Sequence, residues 1–231
     1  MFASLRLSLW AHNTACEPMT CAETVTKLLA RADSARRTFL SRIDTLSQQQ
    51  IDFKPARSEW SIGEVAHHVV LTEQTMQATV KDLLERGAET GSATKTIGFE
   101  EQPMGPRLIP PGILRLPVVN MPMSMMMGMM PGFMKSFMLA NPIMKIRTAP
   151  SVEPRAGMPR EELLGLLARV RAQTLALIEP VRDKDLSRYR WSYPFLGTRN
   201  IYSTLEMLAD HDHRHVIQIE RIKRAPAFPT A

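Results

Sequence analysis

Two of the six histidines in this 231-residue chain, His211 and His215, stand four residues apart in the run Leu205–Ile222, which contains neither Pro nor Gly. Read as a helix at about 100° per residue, the run places Leu205, Leu208, His215, Ile219 and Ile222 on one stripe. His211 falls at the edge of that stripe, Gln218 lies beside it, and His213 points to nearly the opposite side. Side chains one turn apart have Cβ atoms about 5–6 Å from each other. Both imidazoles can therefore reach one metal ion at about 2.0–2.1 Å. A third ligand must come from another element. The candidates are His67 and His68, in a second amphipathic run. There His68 borders the apolar stripe, whereas His67 lies nearly opposite its centre, so His68 is the one expected to face inward.

Three protein ligands with one open position is the arrangement of catalytic rather than structural zinc sites. An ion so held lowers the pKa of a bound water to about 7, or takes a substrate thiol as thiolate. Imidazole makes zinc the default, with nickel, cobalt and iron also compatible. Around these histidines, Glu64 stands one turn below His68, and Asp212 falls inside the stripe, where a carboxylate needs a partner. Glu64 either accepts from a ligand histidine or completes a helix cap. Asp212 either orients a ligand histidine or is satisfied by an arginine. Gln218 is placed to hydrogen-bond a ligand or substrate. His12, His67 and His213 read as surface histidines. Cys16 and Cys21 lie near the start of the first helix, too few for a disulfide framework or a cysteine-rich metal site.

The elements that must position these residues are helical. Thr20 and Glu23 form a capping-box pair, and Val25, Leu28, Leu29, Ala32, Ala35, Phe39 and Ile43 follow at helical spacing to about Leu46. Residues 47–59 read as a connection. Ser61 and Glu64 form a second capping box, opening a helix whose stripe is Ile62, Val65, Ala66, Val69, Met76, Val80, Leu83 and Leu84; Gly87 closes it. A third helix begins near Pro159, with Glu161 and Glu162 in its first turn, and Pro180 ends it. Residues 183–199 read as an ordered loop into the fourth helix. No strand pattern of any length is evident, which predicts an all-α four-helix bundle. Residues 92–157 interrupt it with a Met- and Pro-rich insertion between helices 2 and 3. Residues 1–18 form an extension, disordered or preceding a true start at Met19, residues 19–224 the bundle, and residues 225–231 a tail.

Net charge is +6, yet no dense basic block or basic stripe with interleaved aromatics occurs, so nucleic acid is not an expected partner. The N-terminal apolar stretch is short and broken by Arg6, a poor secretory signal, and no uninterrupted apolar run reaches 18 residues. A cytoplasmic protein is expected.

Two segments resemble a known family. Trp60-Ser-Ile-Gly-Glu-Val-Ala-His-His-Val69 is similar to the W-S-x-x-E-x-x-x-H-L segment of the DinB/YfiT-like superfamily. Tyr193-Pro-Phe-Leu-Gly197, followed by His211-Asp-His-Arg-His-Val-Ile-Gln-Ile219, is similar to its closing block, a Pro-x-x-Gly turn leading to H-x-x-R-H-x-x-Q-I. The resemblance implies a bundle of up-down-down-up character and a metal site formed by His68, His211 and His215. It further implies a metal-dependent hydrolase or a small-thiol-dependent S-transferase acting on a small molecule. A non-catalytic metal-binding bundle, structural or partner-binding, is the alternative. Relatives often carry His where Tyr193 stands, which implies a different rim to the site and a different substrate. A homodimer is expected. Met121–Met144 is too apolar to stand fully in water and too broken by Pro to span a bilayer; for the segment 118–141 a lid over the site is preferred to a dimer contact, and either to a membrane contact.

Overall fold

The computed structural model describes residues 19–98, 105–106, 146–147, 149–193 and 197–230. Among these, four long helices carry the fold: α1 (Cys21–Leu40), α3 (Ile62–Arg86), α4 (Arg160–Ile178) and α5 (Ile201–Lys223). A short α2 (Gln48–Asp52) lies between the first two. Both expected capping boxes are present. The N–H of Glu23 donates to Thr20 Oγ1 and that of Glu64 to Ser61 Oγ, while each glutamate accepts from the backbone of its cap residue. Asn200 and Ser203 cap α5 reciprocally in the same way. Pro159 stands at the N-cap of α4, with Glu161 and Glu162 in the first turn. Gly87 ends α3.

Three expectations need correction. The first helix stops at Leu40 and tightens into turns through Thr45, although Ile43 and Leu46 stay buried. The connection 47–59 contains α2, capped by Ser47 and Gln50; five residues are too few for a periodic signal. The fold is mostly helical rather than all-α, because a three-stranded sheet precedes α5. Its strands are β1 (Ala93–Thr96), β4 (Tyr189–Tyr193) and β5 (Gly197–Asn200). β4 is central, parallel to β1 and antiparallel to β5. A separate two-residue antiparallel pair joins β2 (Gly105–Pro106) to β3 (Ile146–Arg147). The missed signal lies in β4, where Tyr189, Trp191 and Tyr193 alternate inward while Arg190 and Ser192 do not. That period of two marks a half-buried strand. Trp191 Nε1 donates to Thr204 Oγ1 at 2.9 Å, tying the sheet to α5. Among the described residues no helix is long and apolar enough to cross a membrane.

The bundle packs α1 on α5 and α3 on both α4 and α5. Its core has two parts. One, toward the sheet, gathers Ala32, Ala35, Val80, Ile178, Trp191 and Ala209. The other gathers Phe39, Val65, Val69, Val70, Val170 and Ile219. On each long helix a charged residue stands at the border between them: Arg36, Glu73, Arg171 and Asp212, all at most 6 % exposed. Arg36 donates through Nε to Asp212 at 2.9 Å and through Nη2 to Glu73 at 2.7 Å. Arg171 Nε reaches Glu73 at 2.9 Å, and its Nη2 reaches Asp212 at 3.5 Å. Thr174 adds a hydroxyl to Glu73 at 2.6 Å. Two guanidiniums thus face two carboxylates. Burial raises the Glu73 carboxyl, but Arg36 and Arg171 outweigh it and hold the group below its ordinary range. For Asp212 burial wins and the carboxyl is raised.

Removing one member of a buried ion group leaves the others uncompensated, at a cost of about 3–5 kcal/mol. Glu73→Leu is expected to lower the urea-unfolding free energy by about that amount, and adding Arg171→Met should recover part of it. A near-neutral single variant would show that the four charges do not act as one unit.

Candidate metal centre

α3 and α5 bring His68, His211 and His215 together. One ring nitrogen from each lies within 4.8 Å of the others, and among the described residues no carboxylate or cysteine joins this group. The ring centroids are 5.2 Å apart for His68–His211, 5.1 Å for His68–His215 and 4.4 Å for His211–His215. The Nε2 atoms of His211 and His215 stand 3.1 Å apart. Two nitrogens on one tetrahedral ion at about 2.0–2.1 Å lie roughly 3.4 Å from each other, so this spacing suits a shared cation. Two bare lone pairs facing at this distance repel; with neutral rings, one nitrogen must carry a proton unless a cation sits between them.

The outer nitrogens are also held. His68 Nδ1 lies 2.8 Å from the carbonyl oxygen of Val152, which can only accept, so Nδ1 carries the proton and Nε2 presents the lone pair. His215 Nδ1 lies 2.8 Å from Gln218 Oε1 and donates to it by the same logic. Backbone carbonyls and side-chain acceptors on the second ring nitrogen are the usual means by which metal-ligating histidines are oriented. The Trp60 ring packs on His68 with centroids 4.9 Å apart, and the Thr72 hydroxyl lies 3.5 Å from His68 Nε2.

The remaining expected site residues fall elsewhere. Glu64 accepts from Ser61 and, at 2.7 Å, from Lys54 Nζ, so it closes the cap of α3 instead of reaching His68. Asp212 spends both oxygens on Arg36 and does not orient a histidine. Tyr193, 2 % exposed, packs in the sheet-end core with Trp191, Leu205 and Leu208, not at a rim. Gln218 is where the wheel placed it, bonded to a candidate ligand. His213 is exposed as expected, and His12 lies outside the described residues. His67 is not a surface histidine: it is 6 % exposed and its Nδ1 accepts from the Arg155 N–H at 2.8 Å. The wheel put it away from the α3 stripe correctly but could not show that residues 149–158 cover that side. Val152 carries no side-chain signal for its carbonyl's role, and Trp60 entered only as part of a motif.

Burial, followed by repulsion from the neighbouring rings, pushes His211 well below the ordinary histidine range. Burial likewise lowers His68 and brings His215 to about 3, with Gln218 opposing only part of the shift. The unfolded chain then binds protons below pH ~6.5 that the native site refuses, so stability falls as pH falls. In chelator, thermal unfolding is expected to move steadily lower from pH 6.5 toward pH 4, with His215 contributing up to about 1.4 kcal/mol per pH unit. His215→Gln should flatten that slope; an unchanged slope would show that the ring titrates freely.

Three comparisons bear on this geometry. A profile of the DinB superfamily matches residues 31–219, a span that includes all three histidines. No curated protein matches the chain. Among solved structures the chain is similar to YfiT from Bacillus subtilis, described as a probable metal-dependent hydrolase with an unusual four-helix bundle topology. The TM-score is 0.52 at 13 % identity, over 92 % of this chain and 93 % of that one. At that identity the likeness speaks for the fold. With the family match covering most of its length, the chain belongs to the DinB superfamily.

Proposed function

We propose that the protein is a metal-dependent enzyme that activates a small nucleophile, water or a low-molecular-weight thiol, for hydrolysis or S-transfer on a small-molecule substrate. The observation that carries this reading is the convergence of three imidazoles with no fourth histidine, cysteine or carboxylate among the described residues. His68, His211 and His215 would hold a divalent ion, zinc by default for an all-imidazole set. At an open position such an ion supplies Lewis acidity, lowering the pKa of water or a thiol toward neutrality. The chain's own residues do the rest. The Val152 carbonyl and Gln218 keep protons on the outer nitrogens of His68 and His215. Trp60 forms an apolar wall against His68. Glu64 and Asp212 are committed to other partners, so neither supplies a general base. With neither of them serving as a base, a nucleophile whose own pKa can be brought close to neutral is favoured, which suits both classes. The description of YfiT as a probable metal-dependent hydrolase supports the hydrolytic arm by likeness of fold. The segment 118–141, expected to act as a lid, lies outside the described residues.

Purified protein should bind about one equivalent of zinc, and His215→Ala should reduce occupancy to background. Full occupancy in a His68→Ala, His211→Ala double variant would refute the ligand assignment. Screening the loaded protein against esters, amides and electrophile–thiol pairs separates the two arms. Loaded protein in which the ion accepts no exogenous ligand, for example azide on the cobalt form, would point to a structural ion instead.

A further inference from the structure

His67 and His68 grip the same piece of chain. The strap Ala149–Met158 runs into α4 and is seated by Ala149, Val152 and Met158, all at most 6 % exposed. Its turn Pro150–Val152 packs on α3. The two bonds have opposite polarity. His68 donates from Nδ1 to the Val152 carbonyl, and Arg155 donates its N–H to His67 Nδ1, both at 2.8 Å. Only two residues separate these points. One is Pro154, whose ring locks φ and restricts the residue before it; Glu153 is accordingly extended, at φ −74°, ψ 121°. A stiff link therefore joins the backbone held by His67 to the carbonyl that orients His68.

We propose that His67 is a positioning residue for the metal centre: by holding the Arg155 N–H it keeps the Val152 carbonyl on His68 and so keeps His68 Nε2 unprotonated and turned to His211 and His215. The inference rests on the metal reading of those three histidines. Without the carbonyl, the His68 ring can rotate and can place its proton on Nε2, where it blocks ligation. Outer partners of this kind are worth about 10–100-fold in metal affinity. The role needs an acceptor at the position of Nδ1, not an imidazole as such, and Asn Oδ1 supplies one.

The test uses the full chain with His67→Leu, His67→Asn and Arg155→Pro, the last deleting the donor while leaving His67 in place. Zinc affinity is read by competition with a chromophoric chelator, the cobalt form by its visible spectrum, and the His68 tautomer by long-range ¹H–¹⁵N correlation in metal-free protein. In the unchanged chain His68 should carry its proton on Nδ1. His67→Leu and Arg155→Pro should bind zinc about 10–100-fold more weakly, with an altered cobalt spectrum and a growing Nε2–H population; His67→Asn should stay close to the unchanged chain. Folded His67→Leu or Arg155→Pro protein with unaltered affinity overturns the proposal. So does His67→Asn as weak as His67→Leu, which would make the role one of volume. Should His67→Leu fail to fold, Arg155→Pro and the tautomer of the unchanged chain decide, and a predominant Nε2–H there also overturns it. An unchanged chain that binds no zinc defeats the metal reading itself, an outcome distinct from equal binding by all variants.

Discussion

The fold depends on a buried ionic group to which each long helix contributes one charge: Arg36, Glu73, Arg171 and Asp212. A guanidinium in this setting must find acceptors for a rigid fork of donors. Arg36 finds them on three other helices: Asp212 on α5, Glu73 on α3 and the Leu167 carbonyl on α4. Apolar side chains can slide by a turn and repack at modest cost, whereas these directional bonds cannot. The group therefore specifies the relative register of the helices, while the two apolar clusters on either side of it supply the gain from burial. Asp33 extends the group toward the surface at 3.3 Å from Arg171.

Register is also what brings the three histidines together. Asp212 directly follows His211, and Glu73 lies five residues beyond His68 on α3. The two carboxylates and the three histidines therefore occupy the same two helices at nearly the same level, pointing to different neighbours. Asp212 turns to α1, while His211 and His215 turn toward α3. A slip of one residue between α3 and α5 would break the ion group and separate the histidines together. This also explains why Asp212 occupies the α5 stripe without orienting a ligand: its contribution to the site is the placement of the helix.

What could be read from the sequence was local. The caps at Thr20–Glu23 and Ser61–Glu64 and the four helices are near-neighbour features, as is the pairing of His211 with His215. His68 was also legible, because its placement needed only the α3 stripe. The ion group was not, since Arg36 and Asp212 are 176 residues apart. A sharper reading was still available: Arg36, Glu73 and Arg171 occupy core-facing positions of their helices, and buried charges imply partners. β4 was lost to length, its alternation spanning only five residues. The Val152–His68 and Arg155–His67 contacts were beyond reach in principle, because each uses a backbone group that no side-chain pattern announces.

The histidine cluster itself runs against stability. Three imidazoles are drawn into a poorly solvated cluster where protonation is disfavoured by burial and by each ring's neighbours. His215 gives its Nδ1 proton to Gln218, so its Nε2 presents a lone pair toward His211 Nε2 at 3.1 Å. Neutral His211 can satisfy that lone pair only by carrying its own proton on Nε2. A cation between the rings removes the need for that proton and lets all three Nε2 atoms point inward as acceptors. A shared ion would thus satisfy all three inward nitrogens at once, where neutral rings rely on a proton at His211 Nε2 and on the Thr72 hydroxyl at His68 Nε2. With Gln218 and the Val152 carbonyl holding the outer nitrogens of His215 and His68, the fold turns the Nε2 lone pairs of these two rings inward, the arrangement that the proposed metal site needs.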